Sequence, residues 1–344
     1  MRVILAFDSF KGCVTAEEAC AAAREGIMRV LPHADLVSLP LADGGEGTSK
    51  IIARALDAAP VSCSTVDAIG RPINATYYIA RDVAVIEIAA ASGLALIPPS
   101  LRDPLRADTY GTGLLILDAL RRGATHIILT LGGSATTDGA QGILRALGGG
   151  RTRFSLVCDV RNPFCGEHGA AFVYSPQKGA TAEQVLQLDR RLQSIARQVR
   201  RDTGIDISDI PGAGAAGGVA GVLHAVFNAP IISGIDAVLD ALRFDTFISD
   251  ADLIITGEGS VDCQSLMGKT VSGLLRRAGG RRIAVLAGRV ADREALMNAG
   301  LWQVRGIHPH PLPEAQAMEP GLTLRHISRA AAEIALLSLA QTEK

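Results

Sequence analysis

Acidic residues, lysines and glycines recur at one kind of place in this chain, directly after a short apolar run. Asp8, Ser9 and Lys11 follow residues 3–7, and Asp43, Gly44, Gly45 and Glu46 follow residues 35–42. Gly132, Gly133, Ser134, Thr136 and Asp138 follow residues 126–131, and Glu258 and Asp262 follow residues 252–256. Any one of these clusters is more simply a helix cap, because Asp and Ser satisfy the free amides of a first helical turn. Four together point to a site that binds a metal and a polyanion, since ligands of an open parallel sheet sit beyond the carboxyl ends of its strands. The loop from Leu131 to Gly139 is the most informative. Its glycines let the backbone turn sharply so that amides face the start of the next helix, where phosphate is favoured. Taken alone, it is equally an ordinary strand-to-helix turn.

Three motifs carry less than they promise. Gly212-Ala213-Gly214-Ala215-Ala216-Gly217 matches a dinucleotide fingerprint, yet no apolar strand precedes it. A tightly packed helix start explains it better. Gly268-Lys269-Thr270 resembles the end of a phosphate loop, but Cys263 stands where that loop needs its first glycine. His308-Pro309-His310 reads as a surface loop. Ser92-Gly93, Tyr110 to Gly113, Asp159 to Pro163 and Pro176 to Gly179 are further polar loops, each on its own better explained by plain turn chemistry. Asp159 and Asn162, after a strand near 154–157, suit Mg2+ or a substrate hydroxyl.

The elements that position these residues follow a β-then-α rhythm. Runs at 3–7, 35–42, 126–131, 252–256, 282–287 and 304–308 are short, β-branched and nearly unbroken, as in a parallel sheet buried on both faces. Thr15-Ala16-Glu17-Glu18 is a capping box opening the first helix, and another capped helix starts at Thr181. Two stretches break the rhythm: an antiparallel meander around Gly70-Arg71-Pro72, and the region from Gly148 to Asp245. The expected fold is α/β, a doubly wound parallel-sheet (flavodoxin- or Rossmann-like) domain carrying a second, inserted α/β domain. Residues 1–62, 106–147 and 246–344 are assigned to the first domain, and 63–105 and 148–245 to the second. The site is expected in the cleft between them.

With 344 residues, 48% of them hydrophobic and 20% charged, the chain is long enough for two cores and is not disordered in composition. A formal net charge of -1 gives no basic footprint for nucleic acid. Six scattered cysteines and seven histidines show no zinc-ligand spacing. No run suits a membrane span or signal peptide, so no membrane partner and a cytoplasmic location are expected.

Read together, several motifs resemble the two-domain bacterial glycerate kinases of type 1. They are Asp8-Ser9-Phe10-Lys11-Gly12, Leu41 to Thr48, Ala91 to Leu94, Tyr110 to Gly113, Gly132 to Thr136, Cys158-Asp159-Val160, Asn162-Pro163, Pro176 to Ala180, Gly212 to Gly218 and Ala251 to Gly259. The order is kept from Asp8 to the C-terminal helix. The resemblance implies transfer of the γ-phosphate of ATP to D-glycerate with Mg2+; the chain is expected to be a monomer or homodimer. It leans to 2-phosphoglycerate as product, with 3-phosphoglycerate the alternative.

The roles it implies are as follows. Asp8, Lys11, Asp43, Glu46 and Lys178 are catalytic, and Asp43 and Asp159 bind metal. Gly132, Gly133, Ser134, Thr136, Asp138, Glu258 and Lys269 hold nucleotide or phosphate. Ser92, Thr112, Asn162 and Gln177 hold substrate. The chain departs from the family pattern at Cys13, at Thr137-Asp138-Gly139-Ala140 and at Ser175. It also runs from Ala146-Leu147-Gly148 almost at once into Phe154, where relatives carry several dozen residues. Two rivals follow: a glycerate or nucleotide sensor that lost turnover with that segment, and a dehydrogenase resting on Gly212 to Gly217.

Overall fold

The computed structural model describes residues 1–45, 47–150, 152–310 and 312–342. It contains strands β1 (Arg2–Phe7), β2 (Asp35–Ser38), β3 (Ala59–Val66), β4 (Pro72–Ala80), β5 (Val83–Glu87), β6 (His126–Thr130), β7 (Arg153–Val157), β8 (Ile231–Ile232), β9 (Leu253–Val261), β10 (Arg282–Val290) and β11 (Gln303–Gly306). They fall into two compact units, Met1–Asp43 with Ile235–Lys344, and the continuous segment Gly44–Gly234. Among the described residues no helix is long and apolar enough to cross a membrane.

The first unit holds a five-stranded, wholly parallel sheet in the order β11-β10-β9-β1-β2. Numbered by appearance within the unit, that order is 2-1-3-4-5, the flavodoxin-like doubly wound arrangement. Val3 to Phe7 of β1 are fully buried, as a strand covered on both faces requires. The helix Ala16–Val30 starts at the expected capping box, with the Thr15 amide donating to Glu18 Oε2 (2.8 Å) and the Glu18 amide to Thr15 Oγ1 (3.2 Å). It packs closely on the C-terminal helix Pro320–Thr342: a Cβ on Gly26 would fall 1.9 Å from the Ser328 carbonyl oxygen.

The second unit holds a six-stranded mixed sheet in the order β3-β4-β5-β6-β7-β8. Its first three strands form the antiparallel meander, and β5 to β8 run parallel. This partition corrects the one drawn from the sequence. Residues 44–62 and 106–147 lie in the second unit, β6 pairing with β5 and β7 rather than joining the β1 sheet, and residues 235–245 lie in the first. The inserted domain is therefore one continuous piece, and the Gly132 loop belongs to it.

The glycines at 212–218 serve close packing. Ala216, Gly217 and Gly218 take positive φ angles of 53°, 68° and 92°. A Cβ on Gly217 would fall 2.1 Å from the Thr136 carbonyl oxygen, and the Gly139 amide donates to the Gly217 carbonyl (3.0 Å). The shortened stretch after Leu147 is a tight turn. Gly148 caps the helix Gln141–Leu147 in the left-handed conformation, and the Gly150 amide donates to the Leu147 carbonyl (3.1 Å). It sits where β7 begins. The Gly132 loop lies at the other end of the neighbouring parallel strand, about a strand length of roughly 15 Å away.

Candidate active site

In a 2-1-3-4-5 sheet the chain reverses direction between its first and third strands, and ligands bind in the crevice this leaves. Here those strands are β1 and β9, and an acidic cluster stands at their ends. Asp8 directly follows β1 and is only 5% exposed. Its Oδ1 accepts the Ser9 amide (2.6 Å) and its Oδ2 accepts the Thr270 hydroxyl (2.8 Å). Burial, reinforced by the charge of Asp43, pushes its carboxyl up to about 6. Glu258, within β9, is pushed up to about 7 by burial and then by Asp8, and Lys269 pulls the other way. Its Oε1 is buried without a hydrogen-bond partner among the described residues. Asp43 lies 3.7 Å from the ammonium of Lys11, itself 74% exposed. The structure thus brings Asp8, Lys11, Asp43, Glu258 and Lys269 together in the first unit. Glu46 lies outside the described residues.

In the second unit, the loop 132–136 after β6 is tied to the loop after β5. The Leu94 amide donates to the Gly133 carbonyl and the Ala135 amide to the Ser92 carbonyl, both at 2.8 Å. Gly132 and Gly133 are exposed, and among the described residues no backbone carbonyl accepts their amides. Lys178 lies beneath the loop, 2% exposed. Its ammonium donates to the Thr136 carbonyl (2.6 Å) and the Ser134 hydroxyl (3.2 Å). Burial pulls its pKa down to about 8, with Asp138 acting in the opposite sense.

Several residues expected to contact ligand also brace the fold. The Ser92 and Thr112 hydroxyls are fully buried and bonded to each other at 2.7 Å, which ties their two segments together. Asn162 donates to the His168 carbonyl (2.9 Å) and accepts from the Tyr174 hydroxyl (2.5 Å), so both ends of its amide hold its own loop. Asp138, expected at phosphate, is fully buried, and burial pushes its carboxyl up. Its Oδ2 accepts the Thr109 amide (3.0 Å), the Thr109 hydroxyl (2.8 Å) and the Gly142 amide (3.0 Å). Asp138→Ala would strand three buried donors and is expected to cost roughly 3 kcal/mol or more of stability. Urea unfolding checks this, and a loss below about 1 kcal/mol would contradict the bracing role.

Asp159 accepts the Gly234 amide on Oδ1 (2.8 Å), and its Oδ2 stands where a Cβ on Gly44 would be, 1.5 Å away, so only glycine fits there. Gln177 is exposed. Two residues escaped the sequence reading. Glu87 closes β5 and accepts the Ser49 hydroxyl at 2.9 Å. Its signal is the one used elsewhere, a carboxylate ending an apolar run. Thr270 is the other, and its signal is the incomplete phosphate-loop motif. Among the described residues, no three His, Cys, Asp or Glu side chains gather as a self-sufficient metal site.

A model of the glycerate kinase family matches residues 3–152 and 150–338. The chain belongs to that family. It is accordingly an enzyme, a kinase. It is 38% identical to a glycerate kinase of Halalkalibacterium halodurans over 98% of each chain, and 39% identical to the glycerate 2-kinase of Escherichia coli over 80% of this chain and 81% of that one. A crystal structure from Salmonella typhimurium LT2, described as glycerate kinase 2, superposes with a TM-score of 0.86 at 34% identity over the whole of both chains. The Halalkalibacterium alignment spans 373 positions against 344 residues here, so at least 29 positions have no counterpart. The family match divides at residues 150–152, next to the turn that ends at Gly150.

Proposed function

We propose that the chain transfers the γ-phosphoryl group of ATP to D-glycerate and yields 2-phosphoglycerate. The observation that carries this reading is the acidic cluster at the switch point. Burial and the charge of Asp43 raise the proton affinity of Asp8, and burial, Asp8 and Asp43 raise that of Glu258, with Lys11 and Lys269 acting in the opposite sense. Such a cluster fits a divalent cation, and the unpartnered Glu258 Oε1 is a ready ligand atom. Mg2+ takes one or two carboxylates and completes its shell with water and phosphate oxygens, so fewer than three clustered acids suffice. Asp43 and Glu258 are the residues of the first unit suited to it. Bound Mg2+ supplies neutralisation of the phosphate charge.

The chain's own groups do the rest by positioning and by charge. Lys11 and Lys269 offer ammonium groups to phosphate oxygens. Asp8, half protonated near pH 6, is placed to hold the proton of the attacking hydroxyl. The free amides of Gly132 and Gly133 suit an anionic oxygen, and Lys178 adds positive charge from beneath. The name of the Escherichia coli relative favours the 2-hydroxyl.

A sensor without turnover is disfavoured by where the missing segment falls. The turn 148–150 lies at the start of β7, away from the strand ends that carry Glu87, the Gly132 loop and Asp159. Incubation with ATP, Mg2+ and D-glycerate should release ADP, and phosphorus NMR should show 2-phosphoglycerate. No ADP above the glycerate-free control would refute the reading, and 3-phosphoglycerate would refute the regiochemistry.

A further inference from the structure

The stretch Gly268-Lys269-Thr270 is not wound as a phosphate loop. Gly268 takes a positive φ of 84°, Lys269 is extended at φ -94° and ψ -174°, and Thr270 opens the helix Thr270–Arg277. Thr270 is 1% exposed, and its hydroxyl is committed to Asp8 Oδ2 at 2.8 Å. With the Ser9 amide on Oδ1 at 2.6 Å, each oxygen of Asp8 has one fixed donor. Two donors on different oxygens fix both the plane of a carboxylate and its rotamer, and each oxygen keeps a lone pair for another partner. Asp8 needs this restraint, because burial and the charge of Asp43 both disfavour its ionised form in place.

We infer that Thr270 is a positioning residue for Asp8: its hydroxyl aims the carboxylate at the reacting groups, and this is the job of the incomplete Gly-Lys-Thr motif. The inference rests on the proposed reaction. It gives Thr270 no contact with substrate. Its loss therefore acts on turnover through Asp8 and leaves glycerate affinity alone. Valine keeps the shape of threonine and removes the hydroxyl, whereas serine keeps the hydroxyl and removes a methyl.

The test compares wild type, T270V, T270S, D8N and the D8N/T270V double variant in kcat, in KM for D-glycerate, and in the melting shift produced by Mg2+ with a non-hydrolysable ATP analogue. T270V should lose roughly ten- to a hundredfold in kcat, with KM within about twofold. T270S should recover to within about threefold of wild type. In the D8N background T270V should cause no further loss, because the hydroxyl then has no carboxylate to aim. The melting shift should stay close to wild type in T270V, D8N and the double variant, because neither residue is placed at the metal or the nucleotide. Wild-type kcat in T270V, T270S as impaired as T270V, or the full T270V loss repeated on D8N would each overturn the inference. If T270V does not melt cooperatively, T270A takes its place under the same criteria. A wild-type chain without glycerate-dependent ADP release overturns the proposed reaction and this inference with it, whereas an active wild type with an indifferent T270V overturns the inference alone.

Discussion

Asp8→Asn is expected to lower turnover by roughly two orders of magnitude or more while leaving the fold as stable as wild type, or more so. Asparagine keeps an acceptor for the Ser9 amide and can donate its NH2 to the Thr270 hydroxyl oxygen, but it removes a charge that the site holds at a cost. The carboxyl is raised from 3.8 to about 6, so the folded chain binds this proton more tightly than the unfolded chain does. Asp8 therefore adds stability at low pH, and that stability is lost as pH rises through about 4 to 6. At pH 7.5 the ionised group is a net burden, and the substitution relieves it. Melting curves of both proteins between pH 4 and 8 should converge at the acid end and part in favour of the variant above pH 6. Full activity in the variant would return Asp8 to the role of a simple cap.

Lys178→Met is expected to reduce turnover by roughly a hundredfold, although the lysine is almost wholly enclosed. Methionine fills the space but cannot donate to the Thr136 carbonyl or the Ser134 hydroxyl, so the loop bearing the Gly132 and Gly133 amides loses its anchor and its charge. The pH dependence of stability gives a second readout. The folded pKa of about 8 lies below the ordinary lysine value of 10.5, so between these values the unfolded chain binds more protons. Wild type should gain stability relative to the variant as pH rises from 8 to 10.5, by as much as ~3 kcal/mol. Urea unfolding at pH 7, 8.5 and 10 measures this. A constant difference would mean that Lys178 does not titrate in that range, and unchanged kcat would remove it from the reaction.

The strand starts and helix caps were readable in the sequence because they rest on local chemistry. The runs at 3–7 and 126–131 became β1 and β6, and Thr15 and Thr181 are the helix caps their side chains announced. Sheet membership was not readable. The apolar run of β6 has the same character as that of β1, and only its pairing with β5 and β7 assigns it to the second unit. The run 35–42 gave only a four-residue β2, yet residues 39 and 41 still bond to β1 along its edge. At the site, the acids announced themselves by position after strands, as at Asp8 and Glu258. What escaped was whom each side chain meets. Thr270 meets a carboxylate 262 residues away, and Asn162 meets the carbonyl and hydroxyl of its own loop. Resemblance selects such residues without saying which way they face.

The continuous second unit has a consequence for how the chain is made. On the ribosome β1 and β2 emerge first, but the other edge of β1 must wait for β9, and Arg2 meets its partner Asp252 only 250 residues later. Meanwhile Gly44–Gly234 contains every strand of its own sheet and can fold as it leaves the exit tunnel. The nascent first unit thus presents the apolar residues 3–7 with one unpaired strand edge throughout synthesis of its insert, a template for wrong pairing. Slow translation or early termination before β9 should therefore yield a folded insert tethered to a sticky N-terminal hairpin-less arm, and chaperone dependence should centre on residues 2–7 rather than on the larger, faster-closing sheet.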